Sequence, residues 1–313
     1  MLNMLESGLT PEATYAEMLK TIFQGSTWSG ELVNRRKSGS TYDVSTTVTP
    51  IVNARQEIVN FVSVQADITR LKEVDRLKTK FVTNVSHELR TPLTNIKTYV
   101  TLLEMGRSEN WQRYLKVLHH ETDRLTQLIQ DLLDLSRLEI EAVPVRPTAV
   151  DLPQIIREYI DIFAAKADIR QITLHVNVAS KLPMAHIEAR HLGQLLTNLL
   201  GNALNYTPPG GQIWVSAGTK EDMQQTQLWL KIADNGMGID DADIPFLFDR
   251  FFRSDVVQTR GIPGTGLGLA ICQEIVKRYN GRIEVHSTPG QGAAFNVWLT
   301  FNQENKVADS SPA

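Results

Sequence analysis

His87-Glu88-Leu89-Arg90-Thr91-Pro92-Leu93 sets a histidine beside an acid, with a hydroxyl four residues and a proline five residues beyond it. A neutral imidazole offers one nitrogen lone pair as a nucleophile while its other nitrogen donates a hydrogen bond, so such a group suits transfer chemistry near neutral pH. Alone, the septet is equally a histidine and a glutamate on a solvated helix face. Over a hundred residues later come three clusters that describe a nucleotide pocket. The first holds Asn198, Asn202, Asn205 and Tyr206, the second Asp234, Gly236, Gly238 and Ile239, the third Gly264, Thr265, Gly266, Leu267 and Gly268.

Each cluster has a chemical reason and a plainer rival. Asp234 ends an expected strand, and the glycines after it let the backbone turn tightly against a flat ligand. A buried carboxylate there accepts a hydrogen bond from an exocyclic amine such as that of adenine. Gly264, Gly266 and Gly268 lead into a helix near Leu267, whose free amides make an anion site with no basic side chain, or else form an ordinary glycine-rich turn. Asn198 and Asn202 lie four apart on a helix face otherwise occupied by leucine, and a buried amide left unpaired costs roughly 1 to 3 kcal/mol. A magnesium ion carrying phosphates would use their carbonyl oxygens; a helix cap or a bond to a neighbouring strand is the alternative. Tyr206 suits core and cofactor wall equally, and Asn205 reaches phosphate only as a neutral donor. Between the glycine clusters, Asp240 to Pro263 carries Phe246, Phe248, Phe251 and Phe252 with Arg250 and Arg253. Connections longer than about 15 residues are commonly functional lids, here docked by aromatics with arginines facing phosphate, though the phenylalanines are also explained by packing.

These residues need elements to hold them. Val74, Leu77, Phe81, Val85, Leu89, Leu93, Ile96, Val100 and Leu103 recur at three and four, predicting a helix from about Thr69 to Glu104, on the order of 50 Å long. Pro92 within it is expected to bend it. A turn over Gly106 to Asn110 and a second stripe from Trp111 to Leu135 return the chain as an antiparallel hairpin, and two such hairpins make a four-helix bundle. Glu141 to Val150, with Pro144 and Pro147, reads as a stiff linker. An α/β domain follows: helices at Leu152 to Ala167, Ala189 to Leu204 and Leu267 to Tyr279, strands at Ile172 to Val176, Ile213 to Ala217, Leu228 to Asp234, Arg282 to Ser287 and Ala293 to Leu299. Ahead of the hairpin, a helix over Pro11 to Phe23, capped by Thr10, precedes short strands from Trp28 to Ile68 that amount to half a sheet. Gln303 to Ala313 is a polar tail.

Size allows two or three domains in 313 residues, and the 42% hydrophobic and 21% charged content is that of a globular protein. A net charge of -3 gives no footprint for nucleic acid. No run approaches the roughly 18 apolar residues of a membrane span, and the start lacks a secretory signal. The single cysteine, Cys272, lies in an apolar helical run and fits a reducing, cytoplasmic setting.

The order of His87 septet, Asn202 cluster, Asp234 cluster, phenylalanine-rich lid and Gly264 cluster resembles the sensor histidine kinases of bacterial two-component systems, from Leu71 to about Thr300. The resemblance implies a multidomain chain: a partial PAS-like α+β sensor over 1–68, a dimerising phosphotransfer hairpin over 69–140, a linker over 141–150, an α/β sandwich ATP-binding domain of the gyrase, Hsp90 and MutL type over 151–302, and a tail over 303–313. By it His87 is the phosphoacceptor, Glu88 handles the other ring proton, and Thr91 positions water for dephosphorylating the regulator. Asn202 resembles the magnesium ligand, Tyr206 the adenine neighbour, Asp234 the adenine reader, and Gly264, Gly266 and Gly268 the phosphate loop, with Asn198, Asn205, Gly236, Gly238, Ile239, Phe248, Arg253, Thr265 and Leu267 around them. ATP and Mg2+ are the implied cofactors, and a second copy and a response regulator receiver domain the implied partners. The chain shows no membrane segment, though a longer parent chain could carry one. Position 205, commonly basic in relatives, is asparagine, which leaves a weakly ATP-binding scaffold or a mainly phosphatase role as the alternative. Residues Leu2 to Thr69 resemble only the later half of a PAS domain, through Trp28-Ser29-Gly30-Glu31 and Asp67-Ile68-Thr69.

Overall fold

The computed structural model describes residues 7–105, 110–139, 149–180, 182, 185–222 and 225–300. The turn from Gly106 to Glu109, the linker prolines Pro144 and Pro147 and the tail from Gln303 lie outside the described residues. The chain forms two compact units, Met1–Ser86 and His87–Ala313. No helix among the described residues is long and apolar enough to cross a membrane.

In the first unit, α1 (Glu12–Phe23) lies against an antiparallel sheet of β1 (Trp28–Arg35), β2 (Thr41–Val52) and β3 (Ile58–Asp67), in the order β1-β2-β3. Met18 and Ile22 of α1 bury against Trp28, Leu32, Val44 and Val48, while β3 leaves Val59, Val62 and Val64 exposed. Alternation on β1 and β2 therefore builds a one-sided core. Thr10 does not cap α1: Pro11 occupies the cap position, and the Thr10 hydroxyl instead accepts the Val33 amide at 2.8 Å. Stitching the chain to a strand wins over capping, because β1 would otherwise leave that amide unpaired. Helix α2 (Thr69–Glu104) begins two residues after Asp67, whose Oδ1 accepts the amide and hydroxyl of Thr69 at 3.0 and 2.6 Å.

The second unit contains the later part of α2 and the antiparallel α3 (Trp111–Glu139). Arg124 pairs with Glu88, Asn95 donates to Glu121 at 2.9 Å, and the rings of Tyr99 and Tyr114 lie 5.5 Å apart, so later positions on α2 meet earlier ones on α3. The helix runs unbroken through Pro92, which is buried on this inner face. Leu93, Val100, Trp111, Ile129 and Leu133 stay exposed.

A two-residue ladder pairs β4 (Ala149–Val150) with β6 (Ala185–His186). The nucleotide-type domain adds α4 (Leu152–Ile169), β5 (Thr173–Val178), α5 (Ala189–Tyr206), β7 (Gln212–Asp222) and β8 (Gln225–Asp234). A short α6 (Asp255–Thr259), then α7 (Gly268–Arg278), β9 (Arg282–Thr288) and β10 (Gly292–Thr300) complete it. The sheet order is β5-β7-β8-β10-β9, with only β5 and β7 parallel. Asp151 caps α4 by accepting the Gln154 amide at 3.1 Å, and Leu152, Ile156, Ile160, Phe163 and Ala167 recur on one face. They pack with the leucines of α5, which in turn meets α7 and β8, and the core includes alternate residues Ile213, Val215, Leu228, Leu230 and Ile232 of the sheet. One helical layer on one sheet thus closes a continuous core, and its rim carries the site.

Candidate functional site

A cavity of about 850 Å3 opens at the ends of α5 and β8, within the roughly 300 to 1,000 Å3 of small-molecule clefts. Asp234 reaches its wall from the last position of β8. Its Oδ1 accepts the amides of Gly236 at 2.8 Å and Ala293 at 3.4 Å, both on the same oxygen, so Oδ2 remains for a ligand. Burial raises the pKa of this carboxyl, and the two backbone bonds oppose that rise. Such a half-satisfied acceptor in an apolar recess is suited to a neutral donor such as an aromatic amine.

Gly238 and Gly266 owe their identity to the backbone. Gly238 has φ +68 and a Cβ there would fall 2.1 Å from the Thr288 carbonyl oxygen; Gly266 has φ +71 and would meet the Phe251 backbone at 2.7 Å. The Phe251 amide donates to the Gly266 carbonyl at 2.9 Å, which draws the middle of the lid onto the glycine loop. Arg253 secures the other end by donating to the carbonyls of Gly264, at 3.1 Å, and Ile262, and it lines the cavity. Between the glycine clusters the chain forms a 3-10 turn at Ile244–Phe246 and the short α6, so the connection is folded.

On α5, Asn198 and Asn202 take different duties. Asn198 donates to the Gly268 carbonyl at 3.1 Å and so ties α5 to the first turn of α7. Asn202, one turn on, lines the cavity and has no hydrogen-bond partner among the described residues. Asn205 and Tyr206 also line it; burial pushes the Tyr206 phenol up, against the positive charge of Arg253. Ile239, Gly264, Thr265 and Gly268 stand in the wall, whereas Gly236, Phe248 and Leu267 do not. Leu267 is fully buried under the loop, and Gly236 acts through its amide on Asp234. Cys272, behind Asn198, is buried with its thiol pushed up to about 12 by desolvation, which makes it a packing residue.

The sequence did not point to the contribution of α3. His120, Asp123, Arg124, Gln127 and Asp131 form one edge of the cavity. Thr265 donates to Asp131 Oδ2 at 2.7 Å while its own oxygen accepts the Leu267 amide at 3.3 Å, so one amide of the glycine loop is already engaged. Gln194 of α5 donates to Asp134 at 2.8 Å. Burial raises the Asp131 carboxyl, with the bonds from Thr265 and Gln127 opposing. The signal was present: two aspartates in the leucine run of α3, spaced three apart, must have partners if that face is covered.

His87 and Thr91 are exposed one turn apart on α2, outside the cavity, and the Thr91 hydroxyl donates to the His87 carbonyl at 3.3 Å. Glu88 points to the inner face, where Arg124 holds it at 2.9 Å.

Three family patterns match in the order the geometry leads one to expect. A PAS domain covers residues 5–70, the His Kinase A (phospho-acceptor) domain covers 77–141, and the histidine kinase-, DNA gyrase B- and HSP90-like ATPase covers 187–303. The chain belongs to the sensor histidine kinases. Among related sensor histidine kinases, WalK of Bacillus subtilis is 34% identical over 257 residues, which are 80% of this chain and 41% of that protein. A Staphylococcus aureus WalK is 33% identical over 252 residues, 80% of this chain and 60% of its own length. The chain therefore spans between about two fifths and three fifths of these relatives. Full-length ShkA, solved in complex with AMPPNP, aligns at TM-score 0.52 and 27% identity over 72% of this chain and 45% of its own. The Acinetobacter baumannii histidine kinase AdeS, at TM-score 0.56 and 24% identity over 69% of this chain and 98% of its own, shares the fold. So does ThkA in complex with the response regulator protein TrrA, at 0.60 and 20% over 93% and 84%.

Proposed function

We propose that the chain phosphorylates itself on His87 at the expense of ATP and passes the phosphoryl group to an aspartate of a partner response regulator. The observation that carries this reading is the cavity wall. It combines a half-satisfied buried acceptor at Asp234, an unpartnered Asn202 amide and a glycine loop opening α7, in a chain whose hairpin presents His87 to solvent. Asp234 reads the adenine amine, Tyr206 and Ile239 line its recess, and the amides from Gly264 to Gly268 take phosphate oxygens. Asn202 fits a magnesium ion, since a hard cation takes carbonyl oxygens and the Asn202 amide is not otherwise engaged. Bound there, the ion would neutralise phosphate charge, a duty that Asn205 cannot perform.

In the transfer step a ring nitrogen of His87 uses its lone pair to form a bond to the γ-phosphorus. The bond from phosphorus to the β,γ-bridging oxygen breaks, its electron pair leaves on ADP, and the proton on the other ring nitrogen is handed to Glu88 or to water. Thr91, exposed one turn from His87, is placed to orient water in the reverse, regulator-dephosphorylating reaction. Exposed Leu93, Val100, Ile129 and Leu133 support pairing of two hairpins into a four-helix bundle. We assign residues 69–140 to this phosphotransfer hairpin and 151–302 to the ATP domain. The neutral Asn205 favours a second reading, in which regulator dephosphorylation outweighs kinase turnover.

Incubation of the purified chain with magnesium and γ-labelled ATP, beside His87→Gln, tests both. Acid-labile, base-stable label that disappears in His87→Gln is the expected result. Absence of label despite ATP binding would overturn the kinase reading and leave the second.

A further inference from the structure

We infer that Arg124 is a positioning residue for the phosphoryl-transfer step, fixing Glu88 beside His87 at the point where the hairpin meets the nucleotide cavity. The inference rests on the histidine-kinase reading. Successive side chains on a helix diverge by about 100°, so Glu88 does not face His87 by default. A free glutamate would spread over several rotamers, few of which leave a carboxylate oxygen on the side of the imidazole. Arg124 removes that freedom: its Nη2 donates to Glu88 Oε2 at 2.9 Å, with both side chains half-buried, and Oε1 has no hydrogen-bond partner among the described residues. One carboxylate oxygen is thus anchored across the hairpin and the other is left for the ring proton of His87, whose imidazole has no partner of its own among the described residues.

The neighbouring cross-link differs in a telling way. Asn95 donates to Glu121 Oε1 at 2.9 Å, yet Glu121 Oε2 is buried and unsatisfied, as befits a structural strut. Arg124 itself stands instead in the cavity wall, with Asp123 and Gln127 beside it. A guanidinium that both lines the nucleotide cavity and holds the acid next to the acceptor histidine links the two halves of the reaction without touching the reacting atoms.

The test is single-turnover autophosphorylation of Arg124→Gln, Arg124→Lys, Glu88→Gln and the Arg124→Gln/Glu88→Gln double variant, with rate and ATP KM measured separately and thermal midpoints recorded. Arg124→Gln should lower the rate about tenfold or more at nearly unchanged KM, within the range that positioned proton transfer commands. Arg124→Lys should recover most of that loss, and Arg124→Gln should cost nothing further when Glu88 is already glutamine. A raised KM at unchanged rate would make Arg124 a nucleotide contact and overturn the inference. So would additive losses, an unchanged rate, or a rate that falls only in step with the thermal midpoint. Label that persists in His87→Gln would sink the kinase reading itself, a result these comparisons cannot mimic.

Discussion

Asp67 and Asp234 occupy the same local position in two different sheets. Each is the last residue of a strand, β3 and β8, and each accepts the backbone amide two residues on, from Thr69 at 3.0 Å and Gly236 at 2.8 Å. Their ionisation runs in opposite directions. At Asp67 the Thr69 hydroxyl, then its amide, then Arg36 hold the carboxyl down at about 2. At Asp234 desolvation dominates two backbone bonds and the carboxyl is raised. The same turn chemistry therefore yields a helix cap where the sheet edge meets solvent and a ligand acceptor where the core closes over it. Burial, supplied by elements distant in sequence, decides which.

Breaking the buried member should have the larger effect. Asp234→Asn keeps an oxygen for the Gly236 amide but turns an NH2 group toward the adenine amine, a donor against a donor. Leaving a buried polar group unpaired costs roughly 1 to 3 kcal/mol, about a fivefold to 150-fold loss of ATP affinity. Titration with ATP at fixed magnesium measures it, and an unchanged affinity would remove Asp234 from the adenine site.

Acid sharpens the contrast without a substitution. Protonation weakens Asp234 as an acceptor, and because its pKa is raised, ATP affinity should begin to fall at a pH above the usual carboxylate value of 3.8. In Asp234→Asn that dependence should vanish while the rest of the titration is retained. A wild-type and a variant curve that fall in parallel would place the titrating group elsewhere.

How much of this was legible follows the same division. Periodicity located the helices, because α4 and α5 each bury one continuous stripe and α2 repeats its apolar residues at three and four even where they stay exposed; the predicted start of α2 at Thr69 and of α5 at Ala189 match the structure. Residue type and spacing brought Asn202, Tyr206, Asp234 and the Gly264 loop to one wall, since those features depend on local backbone geometry. Hidden from the sequence were pairings across long separations: Asp131 with Thr265, Asp134 with Gln194, and Arg124 with Glu88. Each reads as an ordinary polar residue on a helix until its partner's position is known. Thr10 misled for a related reason, having the right type for a cap but a strand amide within reach.

The smallest effect belongs to the exposed member. Asp67→Ala removes the acceptor for the Thr69 amide and hydroxyl and the partner of Arg36, freeing the first turn of α2. The sign of its pH dependence follows from the depressed pKa. Its stabilisation is complete above the unfolded value of 3.8 and is lost as pH falls through about 2. Urea midpoints of wild type and Asp67→Ala should therefore differ modestly at neutral pH and converge toward pH 2, with the two proteins equal in ATP affinity at each pH. A gap that persists undiminished at pH 2 would show that the aspartate acts through packing, and the parallel with Asp234 would then be one of backbone shape alone.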